Sequence, residues 1–119
     1  MPIRWTQTVV IPNAADGLSP AYEFGGGAKY MGLIMSAAWT AAGLSFQVGN
    51  TLAGTFYDLY TEAGAEVAIA AGPTAARTTS LDALLPYLSQ FKFVKVRSGV
   101  TALPVQQAAP RTLTFIFER

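Results

Sequence analysis

The sequence predicts an all-β fold: an antiparallel two-sheet sandwich of the jelly-roll kind, with at most one short helix. Short segments in which apolar and polar residues alternate recur along the chain, and turns rich in Gly, Pro and Asn separate them. No segment is long and periodic enough for a long helix. At 119 residues, without a linker or an internal repeat, the chain is expected to form one domain, residues 1–119.

The first half of the chain contains four predicted strands, at residues 3–11, 21–24, 29–35 and 44–48. In the first strand, Ile3, Trp5, Val9 and Ile11 share one face, and the Pro-Asn pair that follows favours a turn. We interpret residues 1–11 as a strand that could serve as an assembly arm. Three glycines at 25–27 predict a tight corner. The third strand is apolar on both faces, whereas the fourth alternates most clearly and is predicted to be half-buried.

The second half predicts a hairpin, one turn of helix and two further strands, at residues 55–70, 80–85, 91–97 and 112–117. The hairpin turns at Ala63-Gly64, and its acids are expected to be solvated. The helix has a possible N-cap in Ser80, and Pro86 is expected to end it. The strand at 91–97 fits either register. The last strand places Leu113, Phe115 and Phe117 on one face, and loops cover 71–76 and 100–109.

Composition predicts a protein that works by contact with other proteins. Only 13% of the residues are charged, against about a quarter in an ordinary soluble domain, so much of the surface is neutral or apolar. No apolar stretch reaches the roughly 20 residues of a spanning helix, and no secretory signal is visible, so we expect synthesis in a cytoplasm and no membrane partner. A formal net charge of +1 disfavours nucleic acid as a partner.

The residue types for most catalysis and metal binding are missing. The chain contains neither histidine nor cysteine, which removes the commonest ligands for zinc and the commonest activated nucleophiles. The only clustered acids are Asp58, Glu62 and Glu66 of the hairpin, and acids beside a turn are ordinarily solvated. We therefore predict no catalytic, cofactor-binding or metal residues, no cofactor and no enzymatic activity.

Short motifs along residues 32–113 resemble small virion proteins encoded among the structural genes of tailed bacteriophages and prophages. This chain differs from the group at residues 49–54, where members of the group often carry an Asp-Gly turn. The motifs are Gly32-Leu33-Ile34-Met35 with Ala38-Trp39-Thr40, Leu44-Ser45-Phe46-Gln47-Val48, Phe56-Tyr57-Asp58-Leu59-Tyr60 with Glu66-Val67, Val94-Lys95-Val96-Arg97-Ser98-Gly99, Pro104-Val105-Gln106 and Arg111-Thr112-Leu113.

This resemblance implies a β-sandwich component of the virion, of the kind that decorates or cements a capsid. The implied partners are the major capsid protein and further copies of this chain, which would form a homotrimer. The implied location is the capsid surface. The motifs do not distinguish the head from the neck or the tail, and the resemblance supplies no catalytic residues.

Two sets of contact residues follow from these interpretations. The amino-terminal strand could add to the exposed sheet edge of a neighbour, and a basic strand could pair with an acidic one, so the candidate assembly contacts are Ile3, Arg4, Trp5, Lys92, Lys95 and Arg97. The alternative function is receptor or carbohydrate binding on a fibre, tail or neck, where aromatic rings stack on sugars. Its candidate residues are Trp39, Tyr57 and Tyr60.

Overall fold

The structure is a computed structural model that describes residues 3–24, 27–69 and 76–119. The glycines at 25 and 26, most of the loop at 71–76 and the first two residues of the proposed arm lie outside these ranges. Within them the elements are β1 (Arg4–Ile11), β2 (Tyr22–Glu23), β3 (Tyr30–Ile34), β4 (Leu44–Gly49), β5 (Tyr57–Asp58), β6 (Ala68–Ile69), β7 (Thr78–Ser80), α1 (Leu85–Leu88), β8 (Phe93–Val100), β9 (Leu103–Pro104) and β10 (Arg111–Glu118).

The strands form two antiparallel sheets. Sheet 1 has the order β1-β10-β3-β7, and sheet 2 has the order β2-β8-β4-β5, with β6 added to β4 and β9 to β8. Successive strands cross repeatedly from one sheet to the other, so that β1 and β10 from the two ends of the chain lie side by side. This is the wrapping order of a jelly roll, and it confirms the predicted all-β sandwich with one short helix.

The core lies between the two sheets and is built from alternate residues of each long strand. In β10, Leu113, Phe115 and Phe117 are at most 1% exposed, which confirms the predicted inner face. Phe24 packs against two of these rings, with centroids 4.9 Å from Phe115 and 5.5 Å from Phe117. On the opposite sheet, Phe46 is fully buried. Aromatic packing through Phe24, which follows β2 of sheet 2, therefore helps to join the two sheets.

The amino-terminal strand is part of this core rather than a separable arm. Every residue of β1 pairs with β10, and the side chains of Val9 and Ile11 are fully buried. Removing residues 1–11 would expose the apolar inner face of β10, so the described part of this segment is a structural strand of sheet 1. An assembly role for its outer edge stays a prediction.

Two local predictions are wrong for identifiable reasons. The β4 strand is buried on both faces, because β8, β5 and β6 surround it and the Arg97 side chain covers Ser45 on the outer face. The helix begins after Leu84, with Pro86 in its first turn, instead of ending before Pro86. Proline lacks only an N–H that the first turn does not use, so it starts helices readily. Ser80 belongs to β7 and does not cap the helix.

The outer side of sheet 1 retains the two-sided apolar character predicted for residues 29–35. Along β3, Met31 and Leu33 point into the core, whereas Tyr30 and Ile34 are 54% and 40% exposed. Across the described ranges, no helix is both long and apolar enough to cross a membrane.

Candidate interaction surfaces

The outer faces of the two sheets differ in chemistry, and the difference follows from which residues each strand turns outward. Between the ends of sheet 1, the outward side chains are hydroxyl-bearing or apolar and none is charged. They are Thr6, Thr8, Val10, Tyr30, Gly32, Ile34, Thr78, Ser80, Thr112, Thr114 and Ile116. We call this set the neutral face. A neutral sheet surface is suited to contact with another protein.

Gly32 opens a cleft in the middle of the neutral face. The cleft encloses about 390 Å³ around β3, and Tyr30, Ile34 and Ile116 lie along it. Nothing in the backbone requires glycine at this position: its φ is not positive, and an added Cβ would meet only the Thr79 carbonyl oxygen, at 3.8 Å. Glycine weakens a strand interior. The residue is therefore best explained by the space it leaves outside the sheet.

Charged groups occur only toward the end of this face where β1, β3 and β10 meet. Arg4 and Glu118 face each other across β1 and β10, and Arg4 Nη2 lies 2.7 Å from Glu118 Oε2. Nearby, Asp82 Oδ1 accepts a hydrogen bond of 2.8 Å from the Met31 N–H, on the side of β3 that bears β7. Arg4, Asp82 and Glu118 thus line one end of the cleft, and both carboxylates have partners within the fold.

The three candidate contacts at the amino terminus differ in how far they are exposed to solvent. Ile3 is 53% exposed, and Arg4 is exposed beside Glu118. Trp5 is partly buried: its ring stacks on Phe117 at 5.6 Å, and the Arg119 guanidinium lies 5.3 Å from its centroid. The fold itself holds the Trp5 ring, so Ile3, Arg4 and the backbone edge of β1 are the parts available to a neighbour.

Arg97 is not a surface contact, which corrects the prediction made for it. Its side chain is only 5% exposed and lies between two carboxylates. The Nη2 atom donates to Asp58 Oδ1, and Nη1 donates to Ser45 Oγ at 3.1 Å and Thr101 Oγ1 at 2.8 Å. Glu66 Oε2 lies 3.5 Å from Nη1. These residues form one buried ionic cluster on the outer side of sheet 2.

The ionic cluster also corrects the view of the hairpin acids as solvated for Asp58 and Glu66, whereas Glu62 is exposed as predicted. The side chains of Asp58 and Glu66 are 27% and 17% exposed. Hydrogen bonding by the Arg97 guanidinium is the main cause that holds the pKa of Asp58 below its usual 3.8, against the opposing effect of burial. Alternation alone could not find this cluster, because it left the register of 91–97 open. The available signal was the presence of acids on the predicted hairpin and of cations on a predicted strand, which suit pairing with an acidic neighbour.

The two lysines of the basic strand have separate aromatic partners. The Lys95 ammonium lies 4.6 Å from the centroid of Phe56, and the Lys92 ammonium lies 5.6 Å from that of Phe93. With Arg97 buried, the three cations do not combine into a basic surface.

Two of the three candidate sugar-stacking residues lie together on the surface, and the third lies elsewhere. Tyr57 and Tyr60 are 70% and 49% exposed, and both line a cleft of about 480 Å³ beside Phe91 and the polar side chains of Asn50 and Thr51. Trp39 lies elsewhere, since its Nε1 donates to the Ala42 carbonyl at 3.2 Å and its ring packs against the core. The structure thus brings two of the three predicted rings together.

A buried glutamine, which the sequence analysis missed, fixes the loop that carries Trp39. Gln107 is fully buried. Its Oε1 accepts from the Thr40 N–H at 2.8 Å, and its Nε2 donates to the Thr40 carbonyl at 3.0 Å and to Ser98 Oγ at 2.8 Å. Burial of an amide is stable only when its groups are satisfied in this way. No periodic pattern marks such a residue in a loop.

In the described ranges, no group of three or more acidic, histidine or cysteine side chains is arranged to hold a metal ion.

Comparison with known proteins shows a shared fold. The crystal structure of the SPBc2 prophage-derived protein YomS is similar, with a TM-score of 0.56 over 100% of this chain and 96% of that chain, at 11% sequence identity. No protein-family model and no curated protein matches the sequence. The likeness extends over both whole chains, so it concerns the complete two-sheet architecture.

Proposed function

We propose that this chain is a bacteriophage virion structural protein that decorates the assembled capsid and stabilises it. The neutral face, with the cleft over Gly32, is the observation that carries the proposal. A free protein gains nothing from an uncharged sheet surface interrupted by a strand-weakening glycine, whereas a docking surface does. The fold shared with a prophage-derived protein and the motifs of residues 32–113 support a phage setting.

The proposed mechanism is stabilisation by binding, with no chemical turnover. A protein that binds the assembled lattice and not its separated subunits shifts the equilibrium toward the lattice by mass action. The major capsid protein would supply the complementary surface, and apolar contact in the Gly32 cleft would supply much of the affinity. Synthesis in the host cytoplasm followed by a place on the capsid surface completes the proposal.

Cosedimentation with assembled shells tests this function. We expect the wild-type chain to pellet with shells and to remain in solution with unassembled capsid subunits. Ile34→Glu places a charge beside the cleft and should reduce shell binding at least roughly tenfold, because burying an unpaired carboxylate is unfavourable. Leu52→Glu is the matched control, since Leu52 is 63% exposed on a loop of sheet 2 and should retain wild-type binding.

Gly32→Val provides a second variant that changes shape without adding charge. The added side chain fills the cleft while the backbone accommodates it, so the melting temperature should hold or rise as shell binding falls. Equal binding by wild type, Ile34→Glu and Gly32→Val would show that the neutral face is not the docking surface.

Carbohydrate binding on a fibre, tail or neck is the second candidate, and the Tyr57–Tyr60 cleft is the observation that favours it. Two exposed aromatic rings beside an amide and hydroxyl groups have the composition of a sugar site. A glycan array with the wild-type chain and the Tyr57→Ala/Tyr60→Ala double variant separates the proposals. Glycan binding that the double variant loses would favour this second function.

A further inference from the structure

The outer strand of sheet 1 offers backbone groups that can pair with another strand. In the described ranges β1 pairs on one side only, with β10, and its eight residues run without a proline or a lysine. Proteins usually protect a long edge strand with such residues or with a bulge, because an open edge is a template for strand addition.

The pattern of hydrogen bonds shows which residues face outward along this edge. The Arg119 N–H donates to the Ile3 carbonyl at 2.9 Å, so the pair of residues 3 and 119 is a hydrogen-bonded pair. Since such pairs alternate in an antiparallel ladder, the odd-numbered residues of β1 bond to β10. The backbone groups of Arg4, Thr6, Thr8 and Val10 therefore point away from the sheet.

The fold covers one end of this edge and leaves the remainder open. Tyr22 Oη accepts from the Val10 N–H at 3.4 Å, and Gln7 Nε2 donates to the Thr8 carbonyl at 3.0 Å. No other described residue bonds to the outward backbone groups of Arg4, Thr6 and Thr8. The available edge thus runs over residues 4–8 and is limited by Tyr22.

We propose that this edge pairs antiparallel with the same edge of a second copy, with Thr6 on the two-fold axis. The inference deepens the proposed assembly role and rests on it. In this register Thr6 lies opposite Thr6 of the second copy, and Arg4 lies opposite Thr8. About six backbone hydrogen bonds then join the copies, and the contact of Gln7 with the Thr8 carbonyl is exchanged for one of them.

With the two-fold axis at Thr6, the facing side chains and backbone groups of the two edges fit each other. An axis at residue 5 or at residue 7 gives a poorer fit. No like charges face each other, because Arg4 meets a threonine. Moving the axis to residue 5 would place Trp5 directly opposite Trp5 of the second copy and leave Thr8 unpaired. Moving it to residue 7 would bring Arg4 opposite Val10, whose N–H is held by Tyr22. The geometry thus favours a second copy of this chain over a strand of unrelated sequence.

Pairing at β1 has a structural consequence for the neutral face. The two copies of sheet 1 become one continuous eight-stranded sheet, so their neutral faces lie side by side and form one larger docking surface. A two-fold contact closes at two copies. The inference therefore predicts a dimer in place of the homotrimer that the resemblance to virion proteins implies.

Sedimentation velocity tests the pairing through the charge at position 6. We expect the wild-type chain to sediment at twice its 12.6 kDa mass. Thr6→Lys and Thr6→Glu each place like charges on the axis, so each variant alone should sediment as a monomer. An equimolar mixture of the two should restore the dimer. Thr112→Lys, which carries the same charge on the same face but in β10, is the matched control and should remain dimeric.

A cysteine at the axis gives a second readout that does not require dissociation. The chain contains no native cysteine. Cα atoms in a hydrogen-bonded pair lie about 5.5 Å apart, within the range of a disulfide, so Thr6→Cys should form a covalent dimer on mild oxidation. Thr112→Cys should stay uncrosslinked. Circular dichroism checks that every variant is folded.

The pairing would be overturned by a wild-type chain that stays monomeric at all concentrations or forms a trimer. It would equally be overturned by a Thr6→Lys variant that is dimeric alone, or by an equimolar mixture of Thr6→Lys and Thr6→Glu that stays monomeric. Measuring whether the chain binds assembled shells distinguishes failure of the pairing from failure of the proposed function. A chain that decorates shells as a monomer overturns the pairing alone, whereas a dimer that ignores every shell overturns the decoration role alone.

Discussion

At the scale of single residues, the ionic cluster around Arg97 is the most consequential departure from a purely apolar sandwich. One guanidinium that is 5% exposed holds two carboxylates, a serine and a threonine on the outer side of sheet 2. A buried pair of this kind contributes little over an apolar replacement, but breaking it leaves a charge without its partner. Its role is to fix the segment that carries Asp58 and Glu66 onto β4 and β8.

Arg97→Met should therefore destabilise the fold strongly. We expect a loss of about 2–4 kcal/mol in the free energy of unfolding, because the two partly buried carboxylates of Asp58 and Glu66 would lose their common cation. Lys92→Met, on the exposed cation that precedes the same strand, should change stability by less than about 0.5 kcal/mol. Urea denaturation measures both. Equal stability of the two variants would show that the cluster does not hold the hairpin.

The lowered pKa of Asp58 predicts how stability responds to acid. A carboxyl whose pKa is lower in the folded chain than in the unfolded chain contributes stability above the unfolded value, and the contribution disappears as the pH falls through the folded value. The stability difference between wild type and Asp58→Asn should hold constant above about pH 5 and shrink below 3.8. A difference that grew with acidification would contradict the assignment of Arg97 as its partner.

At the scale of elements, the long strands carry the core and the short ones position loops. β1, β8 and β10 each have eight residues, whereas β2, β5, β6 and β9 have two each. The buried rings of β10 contact both the second sheet and Phe24, so this strand unites the layers.

Phe115→Ala should accordingly be among the most damaging single changes. The ring is fully buried, and removing it leaves a cavity between the sheets, which costs about 3–5 kcal/mol. Thr112→Ala on the exposed side of the same strand should cost less than about 0.5 kcal/mol. Thermal unfolding compares the two, and similar melting temperatures would mean that the inner and outer faces of β10 have been exchanged.

The elements differ in how far the sequence determined them. Strict alternation identified both faces of β1 and β10, because one face of each meets the core and the other meets solvent. It failed for β4, whose outer residue Ser45 is buried by an arginine from β8 that no local pattern reveals. The helix was misplaced because Pro86 can both end and begin a helix, and only the neighbouring packing of Leu85 and Leu88 decides between these roles.

The candidate surfaces were predictable to a smaller extent. Exposure of Tyr57, Tyr60 and Ile3 agrees with the residues selected from the sequence, whereas Arg97 was selected and is buried. The cleft over Gly32 was not foreseen, since it depends on the two strands that flank β3, β10 and β7, and on what a side chain at that position would meet. Contacts between distant segments, which alternation does not encode, account for these differences.

At the scale of the whole molecule, the outer faces of the two sheets differ in chemistry, and the proposed docking side is that of sheet 1. Sheet 1 presents the neutral face and the open edge of β1, and sheet 2 presents the ionic cluster and the tyrosine cleft. A small net charge of +1 leaves apolar and hydroxyl contacts as the main source of affinity for a partner. The two sides would therefore meet different surroundings in a particle.

Electron cryomicroscopy of the virions that are proposed to carry this chain tests the central claim most directly. The account predicts a density of this fold on the shell, with the neutral face around Gly32 and Ile34 against the capsid and the Tyr57–Tyr60 cleft toward solvent. A particle that lacks this density, or one in which the neutral face points outward and sheet 2 contacts the shell, would contradict it.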